Sequence, residues 1–224
     1  MTLSTHDTTI QAVIFDLDGV LLDSEWLAFL VWREMLAERG ARLDDSVFEG
    51  ILGLDDTATA EHIMACTGII FDIEQYVARI KQRMLERVAG DIKPLPGAAE
   101  VVGRLARLEL PLAIASNAYT GYVNTALNGL KLSPYFSACI GADKVARPKP
   151  APDVYLSAAR ALGVDPSRCM AVEDSRVGMQ AASAAGMRVI AVPDHRAPNN
   201  PYPEAWRVYT SLIDLEKDLD SILR

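Results

Sequence analysis

Short apolar runs recur along the chain and alternate with segments whose apolar residues follow helical spacing. The runs cover residues 12–15, 111–115, 138–140, 169–172 and 189–192. Helical spacing appears over 101–108 and again over 155–162, where Gly163 marks the end of a helix. Because strands that alternate with helices form parallel sheets covered on both faces, the pattern predicts an α/β fold with a doubly wound parallel sheet.

Residues 24–93 interrupt this alternation, because they contain no convincing strand. Three large apolar residues fall on one helical face that ends at Gly40, namely Phe29, Trp32 and Leu36. A second, strongly charged helix fits 72–89. The segment therefore predicts a helical domain inserted into the α/β core.

Changes in composition mark the borders of the inserted domain. The first border follows Asp23, and the second lies in the stiff, proline-containing sequence KPLPG at 93–97. We therefore expect a core domain formed by residues 1–23 and 94–224, with the helical domain between them. The polar residues 1–9 are expected to form a loose tail.

Composition narrows the class of partner. Half of the 224 residues are hydrophobic, so the chain can bury a substantial core, and the formal net charge is −8. The negative charge argues against nucleic acid and acidic membranes as partners, because both require basic surface. The three cysteines show no paired spacing, no signal-peptide pattern precedes the first run, and no apolar run has the length of a membrane span. We expect a cytoplasmic protein whose partners are small molecules.

Acidic residues follow the first apolar run directly. Asp16 and Asp18 stand in the sequence FDLDGV after the run 12–15, at the position where a parallel strand presents its carboxyl end. Two such close carboxylates repel each other unless a cation lies between them, which indicates a hard metal such as Mg²⁺. Asp and Gly are also the commonest turn residues, so a solvated turn is the alternative interpretation.

Polar residues also follow the second long run. Ser116 and Asn117 come directly after Ile114-Ala115, where a hydroxyl, an amide and the backbone N–H groups of a following helix can hold phosphate oxygens. The same two residue types are favoured as helix N-caps, which is the competing interpretation.

Two further motifs complete the pattern. Lys149 lies among three prolines in RPKPAPD, which restricts the backbone and suits a cation aimed at a phosphoryl group, although a rigid surface turn has the same composition. Glu173 and Asp174 follow the run 169–172 as carboxylates at a strand end. Asp174 or Ser175 could equally cap the next helix.

Taken together, these motifs carry a specific family resemblance. The sequences FDLDGVLLDSE, ASN, KPAPD and VEDS occur in order, with a helical insertion after the first. The chain thereby resembles the haloacid dehalogenase-like phosphatases, in the β-phosphoglucomutase-like group with a helical cap, over essentially its whole length. The resemblance implies a doubly wound core and a mobile helical cap that closes over the active site.

The resemblance also implies roles for individual residues. Asp16 would be the nucleophile that forms an aspartyl-phosphate, and Asp18 the acid that protonates the leaving oxygen and then activates water. Lys149 would neutralise charge and orient Asp16. Together with Ser116 and Asn117, it would also hold the phosphoryl oxygens. Mg²⁺ would be bound by the Asp16 side chain, the Asp18 carbonyl and Asp174. Glu173 would be either a direct ligand of the metal or an outer one.

The expected activity is Mg²⁺-dependent hydrolysis of a small phosphorylated metabolite. A sugar-phosphate mutase is the nearest alternative, but mutases of the β-phosphoglucomutase type carry a histidine where this chain has Ala28 and a basic residue where it has Asp56. The neighbouring Asp55 stands in a loop that reads substrate in relatives, or it caps the next helix. A non-catalytic sensor of phosphorylated metabolites is a third, weaker alternative.

Overall fold

A computed structural model of the chain describes residues 9–52, 54–90, 92–194 and 201–223. The chain divides into two compact units, one formed by residues 1–22 and 93–224 and the other by residues 23–92. Most of the predicted tail, residues 1–8, lies outside the described residues. None of the helices within the described ranges is both long and apolar enough to cross a membrane.

The larger unit is built on a parallel sheet, and its order in the described residues is β3-β2-β1-β4-β5-β6. The strands are β1 Ala12–Phe15, β2 Leu112–Ala115, β3 Ala138–Ile140, β4 Cys169–Glu173, β5 Arg188–Ala191 and β6 Arg207–Val208. This confirms the predicted α/β class. The edge strand β6 was missed, because its two residues are exposed and contain no apolar run.

The α-helices of the described residues account for the periodic segments. They are α1 Ser24–Ala37, α2 Phe48–Ile51, α3 Asp56–Thr67, α4 Ile73–Val88, α5 Ala98–Arg107, α6 Thr120–Gly129, α7 Asp153–Leu162, α8 Arg176–Ala184 and α9 Leu212–Ile222. Helix α7 contacts β1, β2 and β3, α8 contacts β4 and β5, and α5 packs against α9. As the spacing predicted, α7 ends before Gly163.

The central strand β1 is buried on both faces, as a parallel strand between helical layers must be. Ala12 and Ile14 belong to the apolar cluster that also contains buried residues of α7 and α8. Side chains of adjacent strand residues point to opposite faces, so Val13 and Phe15 point away from that cluster. Successive strands are added on one side of β1 up to β3 and on the other side from β4 onward. The boundary between β1 and β4 is where open α/β sheets form their binding crevice.

The smaller unit contains helices α1 to α4 around an aromatic core. Within the described residues, Trp32 and Phe71 both lie against Tyr76, with ring centroids 5.3 Å and 4.2 Å from it. Each of the three longer helices begins at an aspartate whose side chain accepts a backbone N–H bond: Asp23 for α1, Asp55 for α3 and Asp72 for α4. The carboxylate of Asp55 therefore serves as a helix cap.

Candidate active site

The motif residues of the larger unit meet at the carboxyl edge of its sheet. Asp16 follows β1, and its backbone N–H still donates to the carbonyl of Val172 on β4 at 2.9 Å. Ser116 follows β2 in the same way and donates its N–H to Ile140 at 3.0 Å. Because parallel strands end at one edge, residues distant in sequence become neighbours at the point where the strand order reverses.

Lys149 lies between two carboxylates inside the unit. Its Nζ donates to Oδ1 of Asp16 at 2.8 Å and to Oε1 of Glu173 at 2.6 Å, and its side chain is only 4% exposed. Glu173 is fully buried. The proline-rich sequence around Lys149 therefore directs the ammonium into the protein. It is not merely a rigid surface turn, which was the alternative interpretation.

Burial opposes the ionised forms of two of the clustered carboxylates. Burial raises the pKa of the Asp16 carboxyl to about 7, against the opposing effect of the Lys149 ammonium. Burial also raises the pKa of Asp174, and the charges of Asp16 and Glu173 add to that effect. For Lys149, burial acts to lower the pKa, but the two carboxylates outweigh it and raise the pKa above its usual value. A further cation beside these carboxylates would favour their ionised forms.

The donor set fits a small hard cation. One carboxylate oxygen from each of Asp16, Glu173 and Asp174 lies within 4.8 Å of the others, and oxygen ligands are those that Mg²⁺ prefers. Glycine makes room for this arrangement, because a Cβ atom on Gly19 would lie 1.9 Å from Oδ2 of Asp174. A Cβ atom on Gly178 would lie 1.8 Å from Oε1 of Glu173. The two glycines thus permit the close approach of backbone and carboxylates.

Asp18 stands apart from the three clustered carboxylates. Its Oδ1 accepts a long hydrogen bond of 3.4 Å from the hydroxyl of Tyr122 on α6. Burial raises the pKa of the Tyr122 hydroxyl, and the charge of Asp18 raises it further, so this tyrosine remains a donor at neutral pH. The side chain of Asp18 therefore contacts α6 and does not belong to the carboxylate cluster of Asp16, Glu173 and Asp174.

Ser116 and Asn117 do not cap α6, which begins at Thr120. The Asn117 amide instead bridges to the backbone of Lys149: its Oδ1 accepts the N–H at 2.9 Å, and its Nδ2 donates to the carbonyl at 3.3 Å. Oγ of Ser116 accepts the N–H of Ala118 at 3.0 Å, which leaves its hydroxyl hydrogen available as a donor. Asn117 therefore helps to place Lys149.

The hydroxyl of Ser175 decides which residue after β4 caps helix α8, Asp174 or Ser175. Ser175 caps α8, because its Oγ accepts the N–H of Gly178 at 3.2 Å, and the same hydroxyl donates to Oε2 of Glu173 at 3.1 Å. Asp174 consequently does not serve as the cap, and its carboxylate stays with those of Asp16 and Glu173.

Besides the bond between Tyr122 and Asp18, two further contacts were not predicted from the sequence. The buried hydroxyl of Tyr155 donates to Oε1 of Glu173 at 2.7 Å, whereas the helical spacing over 155–162 predicted only a helix there. Asp143 accepts the N–H of Thr120 at 2.6 Å and so ties the loop after β3 to the start of α6. Both contacts join residues far apart in sequence, so spacing along the chain carried no indication of them.

The model of the haloacid dehalogenase-like hydrolase family matches residues 13–192 of this chain. The chain belongs to the haloacid dehalogenase-like hydrolases, which confirms the resemblance found in its motifs. The fructose-1-phosphate phosphatase YqaB of Escherichia coli (strain K12) is 31% identical over 180 residues, covering 80% of this chain and 95% of that protein.

Longer relatives and solved structures agree with this membership. The bifunctional riboflavin kinase/FMN phosphatase of Arabidopsis thaliana is 31% identical over 208 residues, which are 92% of this chain and 54% of that protein, so the chain spans about half of its length. A haloacid dehalogenase family hydrolase of Deinococcus radiodurans R1, solved with bound phosphate and sodium, is 31% identical with a TM-score of 0.77. That match covers 96% of this chain and 97% of the solved chain. The two named relatives agree with the predicted class of enzyme, a phosphatase.

Gly19→Ala is expected to disturb the carboxylate cluster directly, because the added Cβ has no room beside Asp174 and φ at this position is +77°. A divalent cation held by these carboxylates should bind about 10–100-fold more weakly, measured with Mg²⁺ by isothermal titration calorimetry. Gly40→Ala is the matched control, since φ there is +75° but a Cβ atom at that position would have nothing within 4 Å. Equal Mg²⁺ affinity in all three proteins would contradict a role of Asp174 in the site.

Proposed function

We propose that the protein is a Mg²⁺-dependent hydrolase of small phosphate monoesters that works through an aspartyl-phosphate on Asp16. The observation that carries this proposal is the buried Lys149 ammonium held between Asp16 and Glu173, with Asp174 beside them, at the reversal point of the sheet. A cation adjoining a carboxylate nucleophile is what transfer of an anionic phosphoryl group requires. Membership of a hydrolase family with named phosphatases among its relatives supports the same assignment.

In the first step, a carboxylate oxygen of Asp16 attacks phosphorus and the ester oxygen leaves. Asp18 donates its proton to that oxygen, so the alcohol departs neutral. Lys149 stabilises the negative charge on the phosphoryl oxygens and keeps Asp16 in the orientation for attack. The hydroxyl of Ser116 and the backbone N–H of Asn117 hold the remaining phosphoryl oxygens.

In the second step, water attacks the phosphorus of the aspartyl-phosphate. Asp18, now ionised, accepts a proton from that water, and the carboxylate of Asp16 is released together with inorganic phosphate. The two aspartates therefore need different protonation states at the start, and the Lys149 ammonium beside Asp16 favours the ionised form of that carboxylate.

We assign the metal to the Asp16 side chain, the Asp18 carbonyl and Asp174, with Glu173 next to them. When bound, Mg²⁺ would neutralise charge on these carboxylates and on the phosphoryl group. We assign the catalytic core to residues 1–23 and 94–224 and the cap, which would select the leaving group, to residues 24–93. The free thiols of Cys66, Cys139 and Cys169 support our placement of the protein in a reducing cytoplasm.

Asp16→Asn should abolish turnover while the fold is kept, because an amide does not attack phosphorus and the change is nearly isosteric. We expect kcat/KM to fall at least about 10³-fold in assays of released phosphate. Asp45→Asn, at an exposed ion pair with Arg33 in the other unit, is the control and should retain full activity. More than a tenth of wild-type kcat/KM in purified Asp16→Asn, roughly a loss of only 1.4 kcal/mol, would remove Asp16 as the nucleophile.

Removal of divalent cations should silence the enzyme, since Asp16, Glu173 and Asp174 repel an incoming phosphate unless their charge is neutralised. Dialysis against EDTA should abolish hydrolysis, and added Mg²⁺ should restore it. Ca²⁺ should restore it poorly, because it prefers more ligands and a looser geometry. Full activity after exhaustive chelation would refute the metal assignment.

Hydrolysis and isomerisation are distinguished by the products. Asp56, at the position of a basic residue in mutases, forms an ion pair with Lys81 at 2.7 Å, and Ala28 offers no acid–base group. Incubation with β-glucose 1-phosphate and a trace of the 1,6-bisphosphate, followed by phosphorus NMR, should yield inorganic phosphate as the dominant product. Faster accumulation of glucose 6-phosphate than of phosphate would establish the mutase instead.

Substrate classes for the hydrolase are then compared by kcat/KM on sugar phosphates, phosphoglycolate and nucleotides.

A further inference from the structure

Tyr155 carries a polar group that the proposed chemical steps do not use. The residue lies on α7, is completely buried, and belongs to an apolar cluster composed largely of alanines and strand residues. A phenylalanine would fill the same space, and a buried hydroxyl is costly unless it is hydrogen-bonded. The hydroxyl of Tyr155 is bonded, because it donates to Oε1 of Glu173 at 2.7 Å.

That bond completes the set of donors around Glu173. Oε1 accepts from Lys149 Nζ and from Tyr155, while Oε2 accepts from the N–H of Ser175 at 3.3 Å and from its hydroxyl at 3.1 Å. The protein therefore places four donors around the two carboxylate oxygens of Glu173. These donors hold the Glu173 carboxylate in place, and Gly178 leaves it the necessary space.

Tyr155 also contacts Lys149, another partner of Glu173. The Nζ atom of Lys149 lies 5.1 Å from the centroid of the Tyr155 ring, within the range of a cation–π contact. The same tyrosine thus touches the ammonium with its ring and shares the carboxylate oxygen Oε1 with that ammonium through its hydroxyl. Without the hydroxyl, Lys149 would be the only donor to Oε1 among the residues that the structure describes, and it would be drawn toward Glu173 and away from Asp16.

We propose that Tyr155 is a positioning residue. By donating to Oε1 of Glu173, its hydroxyl weakens the pull of Glu173 on the Lys149 ammonium and so keeps that ammonium bonded to Asp16 as well. The catalytic part of this inference rests on the proposed phosphatase function. The placement of Lys149 by Tyr155 does not, because it follows from the buried contacts alone.

The test compares two tyrosines that differ in what their hydroxyls contact. Tyr155→Phe removes only the hydroxyl that reaches Glu173. Tyr76→Phe removes a buried hydroxyl of the smaller unit that has no hydrogen-bond partner among the described residues. We expect kcat to fall about tenfold in Tyr155→Phe, with KM changed by less than about twofold, and both constants to be unchanged in Tyr76→Phe.

The position of the ammonium is measured separately from activity. In ¹H–¹⁵N NMR spectra, the Lys149 ammonium resonance is identified by its loss in Lys149→Met. Tyr155→Phe should shift this resonance and accelerate its exchange with water, whereas Tyr76→Phe should leave it in place. In the wild type, nuclear Overhauser contacts between the ammonium and the Tyr155 ring are expected, and they require no variant to fold.

A wild-type value of kcat together with an unshifted ammonium resonance in Tyr155→Phe would overturn the proposal, as would equal losses in the two tyrosine variants. Absence of the ring-to-ammonium contact in the wild type would overturn it even if Tyr155→Phe failed to fold. A wild-type protein that hydrolyses no phosphate ester would refute the proposed function, and the NMR measurements would still decide the role of Tyr155 in placing Lys149.

Discussion

The candidate site depends on one buried ammonium. Lys149 donates to Asp16 and to Glu173 in an almost solvent-free environment, where a charge without a partner is expensive. Removal of one partner from such a buried pair costs about 3–5 kcal/mol, so the carboxylates and the ammonium require one another. Asn117 holds the Lys149 backbone, and Tyr155 and Ser175 hold Glu173, which makes the position of the ammonium a property of the whole sheet edge.

The topology of the sheet explains why this cluster forms at all. Asp16, Ser116 and Glu173 belong to three different strand ends, and parallel pairing of β1 with β2 and β4 brings them to one edge. Burial, and to a smaller extent the neighbouring carboxylates, raises the pKa of Asp16 and of Asp174, so their ionised forms are unfavourable at that edge unless a further cation is present. A bound metal cation would therefore stabilise the ionised carboxylates of the larger unit, and it would also attract an anionic phosphoryl group.

The strands of the core were predictable because each long one is a continuous apolar run, as expected of a parallel strand buried on both faces. The edge strand β6 was not predictable, because pairing with β5 rather than its own composition defines it. Local chemistry left several alternatives open that contacts then decided. Ser175 rather than Asp174 caps α8, neither Ser116 nor Asn117 caps α6, and Asp55 does cap α3.

The sequence by itself determined the α/β class, the family and the four motifs, because strand burial, helical spacing and motif order are all written along the chain. Only the tertiary structure decided which donors surround Glu173, where the Lys149 ammonium points, and that Tyr155 and Tyr122 reach Glu173 and Asp18. These contacts join residues on different elements, and their geometry depends on sheet order and helix packing. Spacing along the chain contains no information about such distances, so folding had to supply them.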